Sequence, residues 1–219
     1  MPEDPATDHV DVAAAGESEV PLHERSLSFK AYDRGESIRV AGRLRDVRPW
    51  LEGTTRHVVH DMELQVVVRK VDLLITEAVA TMHAFPHAEC PDIAPVFSGL
   101  VGLSIGRGYV KEVQRRFVGA AGCSHLDHLA RGLGPAVIQA LASSHARQMR
   151  RLREEAPVAG STGDDGGEAP SMPRVEWLRN TCHLWADDGI GARKIDLGWT
   201  ATEDEYPVPR IEVLIGRRR

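Results

Sequence analysis

The chain alternates first and turns helical later. Between Val58 and Arg69, the residues His60, Met62, Leu64, Val66 and Val68 share one parity, and Asp61, Glu63, Gln65 and Arg69 share the other. Successive side chains of a strand point to opposite faces, so this stretch is predicted as a strand with His60 on the buried side and Asp61 on the wet side. Ser37 to Arg45 repeats the pattern, with Ile38, Val40, Gly42 and Leu44 on one face. Leu27 to Tyr32 predicts a strand before it, joined through Asp33-Arg34-Gly35-Glu36. The turn Lys70-Val71-Asp72 leads into a fourth strand, Leu73 to Thr81, which is expected to pair with the third as an antiparallel hairpin.

Helical spacing takes over after Phe85. Proline is favoured at the first helical position, so Pro91 predicts a helix to Leu103 with Cys90 at its cap. Gly102, Gly106 and Gly108 punctuate a turn; they lack the lysine and the serine or threonine of a phosphate loop. Tyr109, Val110, Val113 and Phe117 mark a short helix that stops at Gly119. From Ser124 towards Glu155, the residues Leu126, Leu129, Leu133, Val137 and Leu141 recur at helical spacing. Gly132, Gly134 and Pro135 are expected to bend or interrupt that helix. Ser124 and Asp127 have the S-x-x-D form of a capping box, which makes Ser124 the predicted N-cap, with Cys123 just outside and His125 in the first turn. Val175, Leu178, Cys182 and Trp185 share a helical face, and Ile211 to Ile215 reads as a short strand after Pro207 and Pro209. The fold class predicted is α+β: an antiparallel sheet of about four strands with helices packed on one face.

Composition and charge narrow this picture. An apolar content of 42% over 219 residues is enough for a core. Residues 1–20 are acidic and rich in alanine, and are expected to be a disordered leader before a core domain at 21–155. Residues 156–173 are rich in glycine, aspartate, serine and proline, as in a flexible linker, and 174–219 would fold back to supply Cys182 and His183. A net charge of −5 gives no overall basic field for nucleic acid, and Arg147 to Arg153 and Arg217 to Arg219 read as solvated surface. The start of the chain lacks the basic and apolar regions of a signal peptide, and no apolar run reaches the roughly 20 residues that span a bilayer. The expectation is a cytoplasmic protein with a protein or small-molecule partner, bound neither to nucleic acid nor to membrane. Three cysteines in a reducing compartment argue against a disulfide framework.

Candidate chemistry centres on those cysteines. Cys90 precedes a helix-starting proline, Cys123 precedes a capping box with His125 two residues on, and Cys182 adjoins His183. With the inward-facing His60, the set His60, Cys90, Cys123, Cys182 and His125 has the ligand types of a zinc site or an iron–sulfur centre. No short CxxC spacing occurs, so the fold would have to gather them. Two other readings stay open. Cys123 at a helix start favours the thiolate, which would suit a nucleophile acting on a thioester or acyl substrate with His125 or His60 as base. Alternatively, all three cysteines are core filler in a small interaction module.

The landmarks Pro21-Leu22-His23, His60-Asp61-Met62, Cys90-Pro91, Leu100-Val101-Gly102-Leu103, Ile105-Gly106, Gly122-Cys123-Ser124-His125-Leu126 and Cys182-His183 run in this order. The chain in this respect resembles a bacterial family catalogued as "domain of unknown function 2889", over roughly Val20 to Gly189. It departs in having Ser124 where threonine is usual and in the long linker before Cys182. The order of a ligand-bearing strand, a second strand, a cysteine entering a helix and a cysteine opening a long helix is also similar to iron–sulfur scaffolds of the IscU or NifU type. That likeness implies a site of three cysteines and an aspartate, with His60 in the aspartate's place and Cys90 and Cys123 as two of the cysteines. Val58 stands where the first scaffold cysteine belongs, so Cys182 would have to replace it.

Overall fold

A computed structural model describes residues 21–49, 56–106, 108–155, 180, 182–197 and 209–216. They fall into two compact units that divide between Leu141 and Ala142. The predicted leader and linker lie outside the described residues.

In the first unit, β1 (Glu24–Asp33), β2 (Ser37–Pro49), β3 (Arg56–Arg69) and β4 (Ile75–Ala84) form one antiparallel sheet in the order β1-β2-β3-β4. β2 and β3 keep the predicted alternation, β4 starts at Ile75 instead of Leu73, and all four strands run further than predicted towards one end of the sheet. Pairing with a neighbour carries them beyond their apolar runs, as Arg25 opposite Asp46 and Arg48 opposite His57 illustrate. Ile38, Val40, Leu44, Met62, Leu64, Val66, Val68 and Ile75 bury one face of the sheet. A 3-10 segment, Cys90–Leu100, the helix α1 (Tyr109–Phe117) and the part of α2 (Ser124–Glu155) up to Leu141 cover that face. Their contribution to the core includes Phe97, Val113, Phe117, Leu126, Leu129, Leu133 and Val137. The α+β architecture is therefore the one expected from the pattern. Phe97 and Phe117 stack with centroids 4.6 Å apart, and the Tyr109 hydroxyl donates to the Ala130 carbonyl at 2.9 Å.

Several local expectations change. The segment after Cys90 tightens to a 3-10 helix that ends at Leu100 and contains Pro95, a residue that cannot donate to an α-helical ladder. Its N-cap is Glu89, not Cys90. The long helix is neither broken at Gly132 nor at Gly134-Pro135, and runs through Pro135 to Glu155. Asp61 is not on a wet face. It lies opposite the core but is only 7% exposed, because Arg43 donates to both its oxygens at 2.7 and 2.6 Å and Arg45 approaches to 3.8 Å.

In the second unit, Cys182 is extended and precedes a short 3-10 turn, His183–Trp185, so it does not share a helical face with Trp185. Helices α3 (Ile190–Asp196) and α4 (Ile211–Gly216) follow. The apolar run at Ile211 is helical where a strand was expected; periodicity does not separate the two over so short a run. Val175 and Leu178 lie outside the described residues.

Edge strand β1 is tied to the core by one ring. Phe29 lies opposite Gly42 on β2 and against Gly132 on α2. A methyl at Gly42 would meet the ring at 2.7 Å, and one at Gly132 would overlap its tip. Both glycines therefore leave room for one aromatic side chain. Phe29→Ala is expected to lower stability by about 2–4 kcal/mol in urea unfolding. Gly132→Ala is expected to cost about 1–3 kcal/mol with Phe29 present. In a Phe29→Ala background the same change should stabilise by up to about 1 kcal/mol, the helix preference of alanine over glycine.

Candidate metal centre

The row that forms the site runs across three strands. Arg25 on β1 pairs with Asp46 on β2, and Asp46 pairs with His60 on β3. Asp46 continues the buried series Ile38, Val40, Gly42 and Leu44 by one more alternating step, so the strand's own pleat carries a carboxylate onto the apolar face. It is 1% exposed. Directly after this row the register slips: Val47 faces Val58, which leaves Val59 unmatched as a bulge.

The fourth member comes from α2. The Asp127 N–H donates to the Cys123 carbonyl at 2.8 Å, the first bond of the helix, so Cys123 is the cap and Ser124 the first helical residue. The expected capping box does not form; the Asp127 carboxylate pairs instead with Arg131 at 2.8 Å. Gly122 sits so close to the Phe117 carbonyl that any Cβ there would overlap it, which fixes how the chain enters the helix. This entry sets His125 over the end of the sheet, with its ring 3.8 Å from that of His60, centroid to centroid.

All these groups converge on Asp46. Arg25 donates from Nε to Oδ1 and from Nη2 to Oδ2, 2.7 Å each. His60 Nδ1 lies 3.0 Å and His125 Nε2 3.4 Å from Oδ2, while His23 Nε2 lies 3.3 Å from Oδ1. Burial pushes the Asp46 carboxyl up, but the bonds and charge of Arg25, with His60 and His125, outweigh it and hold the group down to about 2. Burial and the neighbouring His60 push the His125 imidazole down, against the pull of Asp46. His125 is thus kept in the neutral form that ligates metals. Its other nitrogen, Nδ1, faces Cys123 Sγ at 3.7 Å.

Asp46, His60 and His125 each offer one ligand atom, and these atoms lie within 4.8 Å of one another. Among the described residues, no cysteine joins such a group. Of the five predicted ligands, His60 and His125 are brought together. Cys123 stands behind His125 and packs against the core. Cys90 is half-buried at the start of the 3-10 segment, and Cys182 is exposed in the second unit. Asp46 lies one residue past the strand end that the apolar run predicts at Arg45, and one further step of the alternation puts its carboxylate at a core position.

The fold and site define an α+β protein with a buried carboxylate–imidazole group at one end of a four-stranded sheet. The chain belongs to the family described as "Protein of unknown function (DUF2889)", which matches residues 23–139, just over half of its 219 residues. That match holds the whole Asp46 group and ends before Cys182-His183. No curated protein and no solved structure matches the chain. The likeness to iron–sulfur scaffolds thus finds no structural support, and the metal-capable group has no cysteine for a cluster. Among the described residues, no helix is long and apolar enough to cross a membrane.

The depressed pKa of Asp46 sets an acid limb of stability. A carboxyl held below its ordinary value contributes fully above that value, near 3.8, and loses the contribution as pH falls towards 2. Its size is about 2 kcal/mol. Asp46→Asn is expected to lose that amount at neutral pH and to flatten the decline between pH values of about 4 and 2. Urea unfolding of the chelator-treated protein over a pH series measures both.

Proposed function

We propose that the protein binds one divalent transition metal of the zinc class through Asp46, His60 and His125. A single observation carries this reading: two imidazole nitrogens sit 3.0 and 3.4 Å from the same carboxylate oxygen. A tetrahedral ion with bonds of about 2.0–2.1 Å separates its ligand atoms by about 3.3 Å. Two histidines and a carboxylate are a ligand set suited to zinc and related ions, and three protein ligands leave a position for water or substrate. Cys123 then acts behind the ligands. With Nε2 turned to the metal, Nδ1 turns to the sulfur, which fixes the tautomer and orientation of the ring.

Chelator-treated protein reloaded with zinc is expected to retain one equivalent after desalting. Asp46→Ala, His60→Ala and His125→Ala should each abolish this, whereas Cys90→Ser and Cys182→Ser should not. Cys123→Ala should weaken binding by about 10–100-fold, the usual effect of losing an outer partner. Elemental analysis with a competing chromophoric chelator measures these values. Retention by the unmodified protein of less than about half an equivalent rules the reading out.

A second reading is favoured by the line from Cys123 Sγ through His125 to Asp46, at 3.7 and 3.4 Å. This is the order of nucleophile, base and orienting carboxylate in thiol acyl transfer. His125 would take the Cys123 proton, the thiolate would attack the acyl carbonyl, and the protonated imidazole would return the proton to the leaving group. This reading expects Cys123 to be alkylated by iodoacetamide near neutral pH faster than a free thiol, and slower after Asp46→Asn or His125→Ala. Rates no faster than those of free cysteine, with zinc removed, would eliminate it.

A further inference from the structure

Arg25 plays no part in the metal reading as stated, yet its geometry assigns it one. It grips Asp46 with two parallel hydrogen bonds of 2.7 Å, a planar match that suits a carboxylate better than a rounder anion. The side chain belongs to edge strand β1 and is 35% exposed, beside His23 at 46%. Arg25 therefore enters the site from the solvent side, whereas Asp46 lies at its floor.

Asp46 and Arg25 cancel one another as they stand. The metal-capable group contains one carboxylate and two neutral-capable imidazoles. A divalent ion placed there brings the site, guanidinium included, to a net charge of +2, and like charges a few ångströms apart repel strongly away from bulk water. That repulsion loosens the hold of Arg25 on Asp46, although the carboxylate has lone pairs for both. The open position on the ion also favours an anionic ligand. One species meets both demands: a carboxylate, which has two oxygens for the two donors of Arg25 and lone pairs left for the ion.

We propose that Arg25 is a clamp that exchanges partners, and that this site takes a small carboxylate-bearing ligand. In the metal-free protein the guanidinium holds Asp46. With the ion bound it holds the ligand's carboxylate beside the metal. The clamp rests on the metal reading above and specifies the class of molecule that the open position accepts.

The test uses the full chain loaded with cobalt(II), whose visible absorption reports a change of ligand. Acetate is titrated into the unaltered protein, Arg25→Gln and Arg25→Lys, with inorganic phosphate as the non-planar oxyanion. The unaltered protein should half-saturate at an acetate concentration about 10–100-fold below that of Arg25→Gln, the range expected for a charge-assisted pair. Arg25→Lys keeps the charge without the fork and should fall near Arg25→Gln, whereas phosphate should depend less on Arg25. Without acetate, Arg25→Gln should hold cobalt more tightly than the unaltered protein, because the neighbouring positive charge is gone. Equal acetate responses with cobalt bound in all three proteins overturn the clamp and leave the metal reading standing. Unaltered protein that takes up no cobalt brings down both. Circular dichroism establishes that the variants are folded, and Arg25→Lys decides the question where Arg25→Gln does not fold.

Discussion

A carboxylate on the apolar face of the sheet governs this end of the molecule. Removing an ion from water costs several kcal/mol even after relaxation, and only close partners of opposite charge or good donors offset that cost. Asp46 is 1% exposed, and the elements around it supply those partners from different directions. β1 brings Arg25 and β3 brings His60 in register, and the first turn of α2 brings His125. The bulge at Val59 and the tight entry at Gly122 both lie at the borders of this group. These irregularities fall where the backbone must leave a regular pattern to set a side chain over Asp46.

The two chemical readings of the group use the same ring in opposite directions. His125 presents Nε2 to Asp46 and Nδ1 to Cys123. In the metal reading, Nε2 carries the chemistry and the sulfur fixes the tautomer. In the acyl-transfer reading, Nδ1 carries it and Asp46 steadies the ring. Arg25 weighs on the two differently. A guanidinium on both oxygens of Asp46 keeps the carboxylate ionised and still, as an orienting residue requires. The same positive charge opposes an ion at Oδ2. In the metal reading Arg25 has to draw aside, and it stands on an edge strand with a third of its surface in water.

Much of the fold was legible because its core follows simple periods. Val58 to Arg69 announced a strand by parity alone, and Leu126, Leu129, Leu133 and Val137 announced the long helix by spacing. The ends were less legible. A strand end is set by its partner, so β2 continues past Arg45 because β3 is there to pair with it. Only half of the site was visible for the same reason. His60 stood out as polar on a buried parity, and Asp46 is the equivalent anomaly on β2, one step beyond the assigned end. The cysteines drew attention as scarce, reactive residues. Their chemical type, however, says nothing of where a sulfur points, and Cys123 gave its backbone to the helix cap and its sulfur to a neighbouring ring.

Asp61 serves as an internal control for the meaning of this group. It too is a buried aspartate, on the next residue of the same strand as His60 and facing the other way, and it too is gripped by an arginine through both oxygens. Its ion-pair partners are Arg43 and Arg45, and its carboxyl is held below the ordinary range chiefly by the hydrogen bonds of Arg43. Arg43, with smaller help from His83 and Arg45, thus keeps this buried aspartate ionised. Asp46 has a forked arginine as well, and three imidazoles gather on it besides, of which His60 and His125 add to the pull of Arg25. Packing a second ring 3.8 Å from His125 disfavours the protonated form of His125 without adding the apolar contact of a leucine in the same place. That set of lone-pair donors about one already neutralised carboxylate separates the two aspartates, and the proposed cation site rests on it.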